Sequence, residues 1–314
     1  MAIISIGFNP AIDRVLECPD FHVGGHQHAH QIARLAAGKA ANVSRALAQI
    51  GVDSIATGFV GADELQFFHE QLLGCGPGRI LCHFVEVTGK TRENISILDS
   101  KRRLETHLRD RGFAVSQEEI ALLDKKIQHD LRAGDVAIFS GSLCEGISPQ
   151  YFGTLLDKCA AAGAKLVVDT NGPAITEAAK RKLWLIKPNL QELSELVGKE
   201  IPNAASAVRD AAATLLDRVE IILVSRGAAG TVLITRQGAW VGRMTTKDAP
   251  LRTVGCGDHL TAGFVAELSQ KRDLSTALRS GMALATARAL SASMEEIDTK
   301  IMEAAMQNVA IEPM

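Results

Sequence analysis

The sequence contains few of the residues that mark specialised classes of protein. Of its 314 residues, 9 are proline, 27 are glycine and 4% are aromatic, a composition that excludes collagen-like and disordered chains. No run of about 18 apolar residues occurs, and the N-terminal segment lacks a basic stretch followed by a long apolar one. We therefore expect a soluble, folded protein without a secretory or membrane-inserted segment.

Cysteine is also scarce, and its spacing excludes two further classes. The 6 cysteines include no C-x-x-C pair, which argues against a disulfide scaffold and a redox motif. Cys75, Cys82 and His83 supply too few ligands for a structural zinc site. We expect free thiols and a reducing, cytoplasmic location.

Excess charge of either sign is absent. The sequence has 34 basic and 36 acidic residues, a formal net charge of −2, so no strongly basic face is indicated. Nucleic acid and anionic membrane are therefore not expected partners. Any anion that the protein binds must be held by a local site.

From about residue 114 onward, apolar runs alternate with segments of helical period. Ser116 and Glu119 form a capping box that predicts a helix start. Further helices are predicted near residues 149–162, 174–181, 191 onward and 203–217. The intervening strands are predicted at residues 135–139, 165–169, 183–187 and 220–225. Continuously apolar strands between helices are typical of a parallel sheet buried on both faces. The pattern predicts a doubly wound α/β fold, and the absence of a long linker favours one domain over residues 1–314.

Two segments, residues 14–35 and 88–110, alternate polar and apolar side chains and are rich in arginine. Half-exposed strands do not fit a buried parallel sheet, so we expect a small separate sheet over the main domain. A basic lid is one interpretation and a solvated edge hairpin is the other. His26, His28 and His30 would share one face of a strand here. They could bind a metal or respond to pH, although an exposed polar strand is the simpler interpretation.

The most informative stretch is Gly255-Cys256-Gly257-Asp258, which precedes an apolar helical segment. Its glycines let backbone N–H groups converge at a helix N-terminus, which predicts a cradle for an anion. Asp258 would repel a bound phosphate, so it suits a base that accepts the proton of a hydroxyl attacking that phosphate. The alternative is that Asp258 only caps the helix.

Three other stretches carry polar groups at the ends of predicted elements. Gly38, Lys39 and Asn42 begin a helix and offer close approach, a charge and hydrogen bonding, although no Walker A or G-x-G-x-x-G motif is present. Asn189 and Glu192 follow a strand, and their oxygens suit hydrated Mg²⁺ or a capping box. Residues 225–230 turn sharply and could admit a nucleotide or simply connect a hairpin.

Taken in this order, these motifs resemble those of the ribokinase-like PfkB carbohydrate kinases over essentially the whole chain. The 1-phosphofructokinase and tagatose-6-phosphate kinase branch is the most similar. The motifs that carry the resemblance are N-P-A-I-D at 9–13, A-G-K at 37–39, T-R-x-N at 91–94, S-G-S at 140–142, K-P-N-x-x-E at 187–192 and G-C-G-D at 255–258.

The resemblance implies a three-layer αβα fold with a β-sheet lid, and phosphorylation of a sugar phosphate by ATP with Mg²⁺. The implied acceptor is a ketohexose monophosphate: fructose 1-phosphate, fructose 6-phosphate or tagatose 6-phosphate. Asp258 would be the general base, and N–H groups around Gly255, Cys256 and Gly257 would form the anion hole. The implied sugar contacts are Asp13, Gly38, Lys39, Asn42 and Arg92. The implied contacts to ATP and metal are Lys187, Asn189, Glu192, Ser225, Gly227 and Gly230.

The sequence departs from the family pattern at Ala40, Arg252, Cys256 and His259. Two other functions therefore stay open: a kinase of an unphosphorylated sugar or nucleoside, and a non-catalytic sugar-phosphate sensor with the same fold. Lid edges of this kind pair between subunits in the family, which implies a homodimer.

Overall fold

The computed structural model describes residues 1–245, 248–293 and 295–314 as a large and a small sheet with helices. The strands of the described residues are β1 (Ile3–Gly7), β2 (Ala11–Glu17), β3 (His30–Ala37), β4 (Ser54–Gly61), β5 (Ile80–Val87), β6 (Arg92–Asp99), β7 (Leu104–Leu108), β8 (Val136–Ser140), β9 (Lys165–Asp169), β10 (Leu183–Ile186), β11 (Val219–Ser225), β12 (Thr231–Thr235), β13 (Gly238–Met244) and β14 (Val309–Pro313). The α-helices are α1 (Lys39–Gln49), α2 (Leu65–Leu72), α3 (Gln117–Asp130), α4 (Pro149–Ala161), α5 (Gly172–Ala178), α6 (Leu190–Val197), α7 (Ala205–Ala212), α8 (Cys256–Ser269), α9 (Leu274–Leu290) and α10 (Thr299–Asn308).

The large sheet has the strand order β14-β13-β12-β11-β10-β9-β8-β1-β4-β5. Its strands are parallel from β11 to β5, whereas β12, β13 and β14 extend one edge in antiparallel register. The predicted mostly parallel α/β sheet is therefore confirmed. Each predicted strand lies within one or two residues of its observed position.

Helices pack on both faces of this sheet, and strand β8 shows why. All five of its residues are buried. Ala137 and Phe139 face one apolar cluster, which contains residues of α3, α4, α6 and α7. Val136 and Ile138 face the other cluster, built with residues of α1, α8 and α9. A strand covered on both faces must be apolar throughout, and the three-layer arrangement follows.

The helix bounds predicted from the sequence are mostly confirmed. Ser116 and Glu119 form both hydrogen bonds of a capping box at α3, and Gly38 precedes α1. The helix expected at residues 203–217 is shorter, because α7 ends at Ala212 and a single 3₁₀ turn follows it.

The small sheet has the order β3-β2-β6-β7 and is separate from the large one, as predicted. Strand β6 is half-buried along most of its length and β7 is exposed throughout. The shared strand face expected for His26, His28 and His30 is wrong, because β3 begins only at His30. The Gln27 side chain donates to the carbonyl of Asp20 and accepts from the His22 N–H, which holds the preceding residues in a turn.

Two further observations concern the cysteines and the helices. All six cysteines are free thiols, and burial raises the pKa of Cys82 to about 11 and that of Cys144 to about 12. These two thiols are therefore poor nucleophiles at neutral pH. Within the described ranges, no helix is both long enough and apolar enough to span a bilayer.

Gly58 is required where β4 pairs with β1, opposite Gly7. Its φ is +130°, and a Cβ built there would lie 1.8 Å from the carbonyl oxygen of Gly7. Because both strain and overlap with backbone result, Gly58→Ala is expected to lower the free energy of unfolding by about 3 kcal/mol or more. Urea denaturation of the two proteins measures this difference.

Gly74 supplies the matched control for that substitution. Its φ is +69°, but a Cβ there would meet none of the described atoms within 4 Å. Gly74→Ala should therefore cost only about 1 to 2 kcal/mol, the expense of a left-handed conformation. Equal losses in the two variants would contradict the overlap at Gly58.

Candidate active site

Polar groups meet at the carboxyl ends of the parallel strands, and all of them except Asp169 were expected to belong to a site. Asp169 ends β9, Lys187 follows β10, and Lys39 begins α1. Asp258 approaches them from the first turn of α8. This edge of an open α/β sheet is where ligands usually bind, because loops and helix N-termini converge there.

The N-terminus of α8 begins with a glycine in left-handed conformation. Gly255 has φ 85° and ψ −9°, and the helix starts at Cys256. Helix geometry leaves the first N–H groups, at Gly255, Cys256 and Gly257, without an intrahelical acceptor. A Cβ built at Gly257 would lie 3.3 Å from the Lys187 Nζ, which places this ammonium group against the same turn.

Asp258 is the third residue of α8, and its side chain makes no capping hydrogen bond. The helix-cap interpretation of Asp258 is therefore wrong. Its Oδ2 instead accepts a hydrogen bond of 2.8 Å from the side-chain amide of Asn42 in α1. The contact joins two residues that lie 216 positions apart in the sequence.

The Asp258 carboxyl group is only 4% exposed. Burial and repulsion by Asp169 raise its pKa from 3.8 to about 6, against the opposing effects of Lys39, Asn42 and Lys187. A carboxylate with a pKa near 6 is ionised at neutral pH and is more basic than an ordinary aspartate. It is therefore suited to accept a proton from a neighbouring hydroxyl.

Asp169 is fully buried between two ammonium groups. Its Oδ1 lies 2.8 Å from the Lys39 Nζ, and its Oδ2 lies 3.1 Å from the Lys187 Nζ. Burial opposes the charged forms, but the two lysines hold the pKa of Asp169 below its ordinary value. Asp169 and Asp258 in turn raise the pKa of Lys39. Asp169 was not identified from the sequence, although an acidic residue that ends a buried parallel strand was the available signal.

Several of the residues expected to hold the sugar already have partners within the protein. Asp13 accepts a hydrogen bond of 2.9 Å from Asn94, its register neighbour on β6. Arg92 donates to three main-chain carbonyls, at Asn9, Pro10 and Asp110. Its guanidinium group thus ties the small sheet to the segment after β1.

Gly38 permits the close approach of that segment to α1. Its φ is +99°, and a Cβ built there would lie 2.9 Å from the Pro10 Cα. A residue with a side chain would push the two segments apart, so the Lys39 end of α1 would move with them. The sequence predicts that Gly38 lets a ligand approach closely; the structure shows the close approach of the protein's own Pro10, and the approach of a ligand stays a prediction.

The residues expected near ATP lie at the carboxyl ends of β10 and β11, where Asn189 and Ser225 form a parallel bridge. Asn189 and Glu192 form both hydrogen bonds of a capping box at α6, so the capping interpretation is confirmed. Ser225 ends β11, and Gly227 and Gly230 belong to the turn that joins it to antiparallel β12, so the hairpin interpretation is confirmed too. Among the described residues, no group of three or more His, Cys, Asp or Glu side chains has the arrangement of a metal site.

His259 lies next to Asp258 but cannot replace it as a base. Its Nδ1 is 2.8 Å from the carbonyl oxygen of Gly255. Burial and the charge of Arg288 lower the pKa of His259 to about 3, against the favourable hydrogen bond to Gly255. The imidazole is therefore neutral at physiological pH and donates its Nδ1–H to the loop before α8.

Comparison with known proteins gives consistent results. The model of the pfkB family carbohydrate kinases matches residues 3–299. The 1-phosphofructokinase of Bacillus subtilis is 30% identical over 298 residues, which are 95% of each chain. The 1-phosphofructokinase of Escherichia coli K12 is 26% identical over 311 residues, covering 99% of this chain and 98% of the relative. The crystal structure of Escherichia coli phosphofructokinase-2 with substrates and products matches with a TM-score of 0.91 at 22% identity, over 98% of this chain and 99% of that one.

Proposed function

Since the chain belongs to the pfkB family of carbohydrate kinases, we propose that it transfers the γ-phosphoryl group of ATP to a hydroxyl of a ketohexose monophosphate. Candidate acceptors are fructose 1-phosphate, fructose 6-phosphate and tagatose 6-phosphate. Relatives named 1-phosphofructokinase that match over nearly the full chain support a fructose phosphate.

One observation carries the proposed mechanism: the buried Asp258 carboxylate lies in the first turn of α8, beside N–H groups that lack helical acceptors. Asp258 would take the proton of the acceptor hydroxyl as its oxygen attacks the γ-phosphorus. The N–H groups of Gly255, Cys256 and Gly257 would stabilise the negative charge on the transferring group. Lys187, which lies against the same turn, would add a positive charge.

The sugar phosphate would lie between the small sheet and α1, in contact with Asp13, Gly38 and Asn42. Lys39 and Arg92 would hold its phosphate group. Each is already hydrogen-bonded, but an ammonium group has three donors and a guanidinium group has five, so donors remain for a ligand.

ATP would lie along the turn of Ser225, Gly227 and Gly230, with its phosphates near Lys187. Mg²⁺ usually binds through one or two carboxylates, waters and substrate phosphates. The residues here fit that mode, because the capping box uses only one carboxylate oxygen of Glu192, while the single side-chain oxygen of Asn189 accepts the Glu192 N–H and keeps a second lone pair. The other carboxylate oxygen of Glu192 could contact the ion, which would neutralise phosphate charge.

The small sheet would act as the lid and as a dimer interface. Closure over the bound sugar would exclude water, which otherwise competes as phosphoryl acceptor. Strand β7 lies at an edge of this sheet, and its Leu104 and Leu108 are 62% and 52% exposed. An exposed edge with apolar side chains favours pairing with a second copy.

A screen of sugar monophosphates and unphosphorylated sugars and nucleosides for ADP release tests the proposed function. We expect turnover with a ketohexose monophosphate and a kcat/KM at least tenfold lower with the unphosphorylated sugars. The reverse preference would support the kinase of an unphosphorylated sugar or nucleoside. Binding of sugar phosphate without any turnover would support the sensor function.

A further inference from the structure

Helix α9 brings a negative helix end next to the proposed anion hole. Helices α8 and α9 are consecutive and antiparallel, and a Cβ built at Gly263 would lie only 2.9 Å from the Gly281 Cα. The C-terminus of α9 therefore lies beside the N-terminus of α8. The Leu251 N–H donates to the Ala289 carbonyl at 2.8 Å, which joins the loop before α8 to that end. Carbonyl groups at a helix C-terminus carry partial negative charge, which would weaken anion binding nearby.

Two guanidinium groups occupy the region between these helix ends. Arg252 donates to the carbonyls of Ser293 and Ala292, at 2.6 and 2.9 Å. Both carbonyls lie just beyond the last turn of α9. Arg288 is in that last turn, and its Nε lies 3.4 Å from a Cβ built at Gly255.

We propose that Arg252 and Arg288 are positioning residues for phosphoryl transfer, which offset the negative end of α9 and fix the loop that carries Gly255, Cys256 and Gly257. This inference rests on the proposed function. Neither side chain needs to touch the transferring group. Their effect is to keep the potential at the N-terminus of α8 positive and its N–H groups aligned, which is the condition for an effective anion hole.

The neighbouring groups are consistent with this role. Burial and the nearby Arg252 and Arg45 lower the pKa of Arg288 to about 10, so the group is still charged at neutral pH. His259 is neutral and donates to the Gly255 carbonyl, so it adds no further positive charge. The carboxylate of Asp258 partly offsets the repulsion that Arg252 and Arg45 exert on Arg288.

Substitution of Arg252 by a neutral donor separates charge from hydrogen bonding. Arg252→Gln is expected to lower kcat by about 5- to 30-fold, with the KM for the sugar phosphate changed less than about threefold. Arg252→Lys restores the charge and should regain most of kcat at a similar melting temperature. If Arg252 had only a structural role, kcat would fall in step with the melting temperature. Arg252→Gln and Arg252→Lys would then have the same kcat wherever their melting temperatures are the same.

Arg132 provides the matched control. Its guanidinium group donates to the carbonyls of His129 and Leu131 at the C-terminus of α3. It precedes β8 and so lies at the amino ends of the parallel strands, whereas the site lies at their carboxyl ends. Arg132→Gln should leave kcat within about twofold of the wild type, because the helix-end effect falls off within a turn.

The outcomes distinguish this inference from the proposed function. A wild-type enzyme that phosphorylates its sugar while Arg252→Gln keeps full kcat would overturn the inference alone. An equal loss in Arg132→Gln would overturn it as well. A wild type without turnover on any sugar monophosphate would refute the proposed function instead. If Arg252→Gln does not fold, Arg288→Gln is measured in its place, with the same loss expected and the same overturning result.

Discussion

Asp258→Asn is expected to lower kcat by roughly 10² to 10⁴, the range for loss of a general base. Asparagine has the shape of aspartate and can still face the Asn42 side chain, so the site should keep its geometry. An amide cannot accept the proton of the acceptor hydroxyl at neutral pH. ATP binding, measured by calorimetry, should therefore change little while turnover is lost.

The free energy of unfolding of Asp258→Asn shows whether its activity is lost through removal of the base or through misfolding. Burial and repulsion by Asp169 raise the pKa of Asp258 to about 6 in the folded protein, so the folded state binds more protons than the unfolded state between about pH 4 and 6. The contribution of Asp258 to wild-type stability therefore falls as the pH rises through this interval. Asp258→Asn removes the buried charge and should be as stable as the wild type at pH 7, or more stable by about 1 to 3 kcal/mol.

Asp273→Asn is the control for that variant. Asp273 caps α9 at the far end of the α8–α9 pair, and asparagine is an equally good N-cap. We expect an unchanged kcat. A kcat near wild type in Asp258→Asn would contradict its role as the base, whereas a loss shared by both variants would indicate general damage to the helix pair.

Asp169→Asn is expected to have the largest effect on stability. It leaves the buried ammonium group of Lys187, and the partly exposed one of Lys39, without the carboxylate that now lies 3.1 and 2.8 Å from them. Removing one partner from a buried ion pair costs about 3 to 5 kcal/mol, because the remaining charge stays desolvated. Urea denaturation at pH 7 measures the loss.

Asp53→Asn is the surface control for this variant. Its ion pair with Arg79 is exposed, and pairs of this kind contribute about 1 kcal/mol or less. The pKa of Asp169 lies below 3.8, so its stabilisation is fully present above that pH and is lost only in more acidic solution. A cost for Asp169→Asn no larger than for Asp53→Asn would contradict the buried network.

The central parallel strands could be predicted because burial on both faces requires a continuous run of apolar residues, which is visible in the local sequence. Residues 165–169 and 220–225 are apolar runs between turn residues, and each forms a strand within one residue of its expected bounds. No local sequence pattern predicts that β1 lies between β8 and β4. This placement depends on contacts between residues distant in the sequence, such as Ile3 with Val136 and Ile4 with Ile55.

The candidate site also has some residues that local motifs identify and others that only contacts between distant residues bring together. Asp258 and the glycines before it stand out as a local motif, and Asn189 and Glu192 have the spacing of a capping box, which they form. The contacts of Asp169 with two lysines, one of them 130 residues away, follow only from the way strand ends meet at the sheet edge. No local pattern predicts that Arg252 reaches the carbonyls beyond α9.

The pH dependence of kcat at saturating sugar phosphate and ATP, measured for the wild type and Asp258→Asn together, tests the role of the buried carboxylate most directly, because free phosphate esters themselves titrate near pH 6. We predict that wild-type activity rises with pH through an apparent pKa near 6, as the Asp258 carboxyl group ionises. The residual activity of Asp258→Asn should lack this inflection. The same inflection in the variant would assign the proton acceptor to another group and contradict the account.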